Sequence, residues 1–546
     1  MTAPAIVILG QGSLATARRI QALYAGAQVF GLLGRVEGAD QSYTEFGPML
    51  RQLYQHGTPI IALCAAGIVI RTLAPLLLEK GEEPAVLAVA EDGSAVVPLL
   101  GGLGGVNVLA RQIAAALEVV AAITTSGELR FGTCLLNPPK GYELADLELG
   151  KRFVSDLLAG ESVRIEGAAP WLDQANLPHD EQARLAIHVS SASRVPTAHE
   201  LRIYPRNVLV TCKPGAQLAE RVLVALQEAG VARQSLACLL ASDTEMADPS
   251  LHEAARELGV ALRFDTLSLL QDITVSVAEQ PLDLSRIGRP RGRLAVIGLG
   301  PGAAELMVPA VKAELARCTD VLGYETYVRM AGPFRDDQVQ HCTDNREEMQ
   351  RARHAFELAA QGRSVVVVSS GDPGVFAMAA AVIEALHESG DAAWHQVDLE
   401  ILPGVSASLA TAAQAGAPLG HDFCVMSLSD NLKPWSIIEK RLDLAAQADL
   451  ALAFYNPISR ARPWQLGRAL EIVAQHRTPD TPVVLGRDIG RPGQTLRVTT
   501  LGQLTPDQVD MRTMVLVGSS TTCVFARAGG GEWVYTPRWY GEKPVS

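Results

Sequence analysis

Six times between residues 294 and 521 an apolar run climbs into a turn rich in glycine, proline, serine or asparagine. The runs are "LAVIGLGPGA" (294–303), "SVVVVSSGDPG" (364–374), "LEILPGVSAS" (399–408), "DLALAFYNP" (449–457), "TPVVLGRDIGRPG" (481–493) and "RTMVLVGSST" (512–521). Each is too short for a helix of its own and rich in β-branched residues, so it reads as a buried strand. A turn and then usually a helical pattern follow. Strand, turn and helix in alternation constrain the chain to an α/β fold with largely parallel sheets.

The same alternation opens the chain. "AIVILG" (5–10) leads into a helical stretch, "PIIALCAAGIVIRTLAPLL" (59–77) reads as strand, turn and helix, and Gly101, Gly102, Gly104 and Gly105 make a turn into another helix. At ~150 residues per domain, 546 residues predict several domains. The pattern places an α/β domain at 1–130, an irregular region at 131–205 and a small α/β module at 206–276. An exposed linker with four arginines follows at 277–293, and two α/β subdomains fill 294–420 and 421–546.

A net charge of −12 argues against a nucleic-acid surface. No uncharged apolar run reaches the ~18–20 residues that cross a bilayer, and no leader pattern opens the chain, which predicts a cytoplasmic protein. The eight cysteines show no C-x-x-C and no zinc spacing, so they read as reduced thiols with no metal site.

Gly298 to Ala303 matches G-x-G-x-x-A, a dinucleotide fingerprint, and Asp320 stands where a ribose-binding acid is expected. A second match is Gly10 to Ala15. Pro301 counts against a pyrophosphate at the first, because it removes one backbone donor from the turn. Asp372 can cap the next helix with Pro373 at its first position, or line a ligand. An NAD-dependent oxidoreductase is therefore one alternative.

Taken together, G-x-G-P-G, S-S-G-D-P-G and P-G-V-S-A-S, in that order and spacing, resemble the tetrapyrrole (corrin/porphyrin) methyltransferases. "PLGHDF" (418–423), "SLSD" (427–430), "YNPISRAR" (455–462), "RTMVLVGSST" and "YTPRWY" (535–540) are most similar to the branch that methylates precorrin-3B at C17 in cobalamin biosynthesis. The resemblance covers about 293–540. It implies a two-domain fold with a trough for S-adenosylmethionine, C17 methylation with ring contraction to precorrin-4, and a homodimer.

Carried over by motif, Pro301, Gly371, Asp372, Pro373, Phe376, Ser406, Ala407, Tyr455, Asn456, Gly518, Ser519 and Ser520 bind the cofactor. Gly300, Ser370, Arg460, Arg462, Arg487 and Arg538 face the substrate, whose rim of carboxylates suits arginine; Arg491 also falls on a turn. His421, Asp430 and Tyr455 are the candidate acid–base groups, and His421 reads equally as a structural residue. Phe376 stands where the family commonly has tyrosine, and Asn431 and Lys433 stand where it has leucine and threonine. Methylation at another precorrin position, or of cobalt-factor III, is the alternative within the family.

Residues 59–126 and 207–270 resemble the two modules of the cobalt-precorrin-5A hydrolases. Leu103 replaces that family's histidine, and "VLVTCKPG" replaces its G-I-G-C entry. Either a hydrolase or a non-catalytic module that holds corrinoid intermediates or neighbouring pathway enzymes follows from this.

Overall fold

The computed structural model describes residues 3–24, 26–77, 83–267, 271–335, 337–344 and 347–540. They form two compact units, Met1–Arg291 with Pro333–Asp337 and Gly292–Gly332 with Gln338–Ser546.

Among the described residues the first unit holds three sheets. Strands β1 (Ala5–Ile8), β2 (Gln28–Leu32), β3 (Gln41–Tyr43), β4 (Ile60–Leu63), β5 (Val86–Val89) and β6 (Val96–Leu100) lie in the order β3-β2-β1-β4-β5-β6, parallel except for β6. Helices Leu14–Gln21 and Val106–Leu117 bury Ile20, Leu109 and Ile113 on one face. Helices Phe46–Gln55 and Ala66–Leu73 bury Leu50 and Val69 on the other.

Residues 131–205 are not irregular. They form a four-stranded sheet from β7 (Tyr142–Leu144), β8 (Val163–Glu166), β9 (Leu185–Val189) and β10 (Glu200–Pro205), in the order β7-β10-β9-β8. Phe131, Phe153, Leu157 and Ile187 close its core. Its strands are brief and separated by long connections, so little periodicity reaches the sequence.

The third sheet, β13-β12-β11-β14, comprises β11 (Val208–Cys212), β12 (Leu236–Ser242), β13 (Ala261–Asp265) and the antiparallel β14 (Ile273–Val277). The stretch 277–293 is tethered rather than a free linker. Arg289 and Phe264 exchange backbone hydrogen bonds of 2.9 Å each way, and a Cβ on Gly288 would meet the Phe264 carbonyl at 2.4 Å.

The second unit begins with five parallel strands: β15 (Arg293–Gly298), β16 (Asp320–Tyr324), β17 (Val339–Thr343), β18 (Ser364–Ser369) and β19 (Asp398–Leu402), ordered β17-β16-β18-β15-β19. Helices Glu348–Ala360 and Met378–Glu388 pack Phe356 and Val382 against it. After the two-residue β20 (Gly416–Ala417) comes a second sheet. It contains β21 (Phe423–Ser427), β22 (Ala451–Tyr455), β23 (Pro482–Arg487), β24 (Thr495–Thr500) and β25 (Thr513–Val517), ordered β21-β22-β25-β23-β24.

Only β21 and β22 in that sheet run parallel; β25 is antiparallel to both β22 and β23. Helices Trp435–Gln447 and Gln465–Val473 cover one face, and helix Ala407–Ala415 packs Ala412 and Ala415 on the other. A hairpin of β26 (Cys523–Ala526) and β27 (Glu532–Tyr535) joins β20 in a small third sheet.

Candidate active site

Three glycine turns at the carboxyl ends of β15, β18 and β19 are locked together through their backbones. Gly300 and Gly371 each donate an N–H to the other's carbonyl, at 3.1 and 2.8 Å. A Cβ on Gly298 would lie 2.4 Å from the Gly371 oxygen, and one on Gly404 only 2.2 Å from it. Asp372 completes the lock, its carboxylate accepting the N–H of Gly374 at 2.8 Å and of Gly404 at 3.0 Å. Asp372 therefore joins two turns and caps no helix, since the next helix begins at Met378. Ser406 does cap a helix, accepting from Leu409 N–H at the start of Ala407–Ala415.

The second sheet meets these turns at the end where β22 stops and the β23–β24 turn begins. The Tyr455 hydroxyl accepts from Ser408 N–H and donates to Ser408 Oγ, both at 3.1 Å. Its ring meets that of Phe376 edge-on at 5.4 Å. Asn456 donates to Ser427 Oγ at 3.1 Å. From the β23–β24 turn Arg491 reaches across, donating to the Pro301 carbonyl at 2.9 Å and to Ser370 Oγ at 3.1 Å. Pro301 packs on Gly490, where an added Cβ would stand 3.0 Å from its ring.

Among the described residues, six non-glycine residues have left-handed backbones, and three of them stand on or beside these turns: Phe376 (φ 53°), Asn456 (φ 51°) and Asp488 (φ 51°). Such conformations are held against their intrinsic cost only where surrounding structure imposes them, and they concentrate at functional sites. Asp488 is buried between Arg487 (3.0 Å) and Arg512 (2.7 Å), and Asp510 takes Arg487 as well, at 2.9 Å.

Gly300, Pro301, Ser370, Gly371, Asp372, Pro373, Phe376, Ser406, Ala407, Tyr455 and Asn456 thus come together at one groove. Arg462 is buried beneath it and donates to the Asn456 carbonyl at 3.2 Å, which makes it a support for that turn. Arg460 is exposed on the same loop. Arg487 is neutralised by its two aspartates. Asp430, at the tip of β21, accepts from Gln465 at 3.2 Å.

Several expected residues lie elsewhere. Gly518 N–H donates to Pro482 O at the start of β23, and Ser520 is bound to Asp449 ahead of β22. Gly518, Ser519 and Ser520 therefore sit at the end of the sheet opposite Tyr455, because β25 runs antiparallel to β22. His421 precedes β21 at that same far end, its ring against Tyr540 at 5.1 Å. Arg538 follows β27 between Thr536, bonded to the Pro418 carbonyl, and Tyr540, bonded to Asp449.

The dinucleotide reading of 298–303 fails on geometry. No helix starts at that turn; a short 3-10 turn follows and helix Pro309–Arg317 comes later. Asp320 is the first residue of β16, at the amino end of the sheet, and is fully buried. Its carboxylate is taken up by Arg363 (2.7 Å), His341 (2.9 Å) and Thr319 (2.7 Å). At Gly10–Ala15 the tip of β2 carries Leu32, Leu33, Gly34 and Arg35 in place of the ribose-binding acid.

Asp488 and Gly490 were not singled out by sequence; the signal available was the second glycine turn, "GRDIGRPG", whose partner is the turn at Pro301.

Comparison with known proteins places these features among relatives. Residues 293–505 match the family described as Tetrapyrrole (Corrin/Porphyrin) Methylases, and residues 48–128 match Cobalamin synthesis G N-terminal. The chain is 50% identical over 249 residues to the precorrin-3B C(17)-methyltransferase of a Sinorhizobium species, covering 97% of that protein and 46% of this chain. It is 47% identical over 255 residues to the cobalamin biosynthesis protein CobIJ of Mycobacterium tuberculosis, spanning about half (49%) of that protein and 46% of this one. The crystal structure of the methyltransferase CobJ is 52% identical and is covered completely by 45% of this chain, with a TM-score of 0.43.

Proposed function

Because this chain belongs to the tetrapyrrole (corrin/porphyrin) methylases, we propose that residues 292–546 methylate precorrin-3B at C17 in cobalamin biosynthesis, with S-adenosylmethionine as donor and contraction of the ring to precorrin-4. The observation that carries this reading is that residues 293–505, which match the methylase family, are the ones that hold the interlocked turns.

S-adenosylmethionine, when bound, supplies a methyl group already activated on a sulfonium sulfur. The groove fits such a ligand. Phe376 is half-exposed beside Tyr455, and the two rings offer the ligand an apolar aromatic wall. The interlocked glycine turns present backbone groups without side chains in the way. The protein's main contribution is then to hold the accepting carbon at near-attack distance and exclude water. Of the three acid–base candidates, His421 lies at the far end of the sheet and the Tyr455 proton is engaged by Ser408. Asp430, at the groove end of β21, is the remaining group for moving a proton.

For residues 1–276 the reading is a corrinoid-holding module and not a hydrolase. Leu103, 44% exposed on the 101–105 turn, leaves that turn with no proton carrier.

The test is to incubate the full chain with precorrin-3B and methyl-labelled S-adenosylmethionine and to follow the product by mass and carbon NMR. Precorrin-4 with one new label at C17 is expected. A product carrying no added methyl, or one labelled at another ring position, would overturn the assignment.

A further inference from the structure

The cations around the groove differ in what already holds them. Arg487 and Arg512 are taken by Asp488 and Asp510. Arg462 and Arg491 donate to neutral oxygens. Lys433 has no carboxylate within salt-bridge distance among the described residues. Its ammonium nitrogen stands 5.8 Å from the centroid of the Phe376 ring, within cation–π range.

That ring is the one that meets Tyr455, so Lys433 overlooks the groove where the cofactor is proposed to sit. Burial holds the ammonium below the ordinary lysine range, and the nearby charge of Arg441 lowers it further. An anion arriving at Lys433 offsets that cost by direct attraction.

Lys433 and Arg491 also stand apart. Lys433 leaves β21, an edge strand, and Arg491 leaves β23, three strands further across the sheet. At ~4.8 Å per strand the two strand ends are about 14 Å apart. Two cations without acidic partners, on either side of an aromatic-walled groove, match a broad flat molecule with carboxylates on opposite rims.

We propose that Lys433 is a specificity-determining residue that takes one rim carboxylate of a polycarboxylate macrocycle, with Arg491 serving the opposite rim. This rests on the methylase reading above and adds to it the residue that selects the substrate's charge.

The test uses the full chain and its Lys433→Gln and Lys433→Arg variants. Three readouts are taken: KM and kcat with precorrin-3B, calorimetric affinity for S-adenosylhomocysteine, and absorbance titration with uroporphyrin III beside its fully esterified form. Lys433→Gln is expected to weaken uroporphyrin binding and raise KM about tenfold, as loss of one charged hydrogen bond does. Cofactor affinity and binding of the ester should stay unchanged, and Lys433→Arg should recover most of the loss. Equal uroporphyrin affinity in wild type and Lys433→Gln, no binding by wild type, or a parallel loss of cofactor affinity would each overturn the proposal. If the chain methylates nothing yet the charge-dependent difference in uroporphyrin binding persists, the methylation reading falls and the Lys433 assignment stands.

Discussion

Phe376 combines a half-exposed ring with a backbone that side-chain-bearing residues avoid. A buried phenylalanine is kept for packing, and its truncation costs ~3–5 kcal/mol. Phe376 has a different balance. Phe376→Gly would remove left-handed strain worth ~1–2 kcal/mol and lose a ring contact with Tyr455 worth ~0.5–1.5 kcal/mol. Stability measured by urea unfolding should therefore change by no more than about 1 kcal/mol, while S-adenosylhomocysteine binding falls at least tenfold. A loss above ~3 kcal/mol with affinity intact would mark Phe376 as ordinary core. At this scale the sequence was informative about identity and silent about conformation. Phe376 was visible as a departure from tyrosine, but φ is imposed by the turns on either side.

The three interlocked turns act as one element. Gly298 and Gly404 allow backbones from β15, β18 and β19 to touch, and a new Cβ on either would meet the Gly371 main-chain oxygen, which cannot rotate away. Gly404→Ala should cost roughly 1–3 kcal/mol of stability by overpacking. It should also abolish cofactor binding, measured by calorimetry against the full-length wild type. Wild-type affinity in that variant would show that the lock does not shape the site.

Ser406 reads from the sequence only as a cofactor contact, although a serine before a small-residue helix has a local reason to cap it, as it does. Asp372 reads as a cap or a ligand contact instead, and its actual role was not legible because its partners Gly374 and Gly404 lie on two turns. The turn at Gly518–Ser520 reads like the others in sequence. A run of apolar residues does not record its direction in the sheet, so only the antiparallel setting of β25 shows that its turn faces away from the groove.

Across the whole molecule, each unit carries its own buried clusters: Phe356 and Val382 on the first sheet of the second unit, Phe454 and Leu466 on its second, and Ile113, Phe153 and Leu239 in the three sheets of the first unit. Residues 292–546 expressed alone should therefore melt in a cooperative transition and bind S-adenosylhomocysteine as the full chain does, checked by circular dichroism and calorimetry. A chain that stays unfolded without residues 1–291 would refute this.

The alternation of apolar runs with glycine turns was enough to determine the α/β class, because strand burial and turn chemistry are local demands written into neighbouring residues, and the resemblance of the turn motifs to known methylases pointed to the family. The same holds for Pro301, whose missing N–H argued against a pyrophosphate before any coordinates. The strand order and direction were decided only in three dimensions, and with them which turns share an end of a sheet. Those contacts join residues more than a hundred positions apart, as Arg491 joins Ser370, and no local pattern encodes them. They put Tyr455, Lys433 and Arg491 around one groove and left His421, Ser520 and Arg538 at the other end of the sheet.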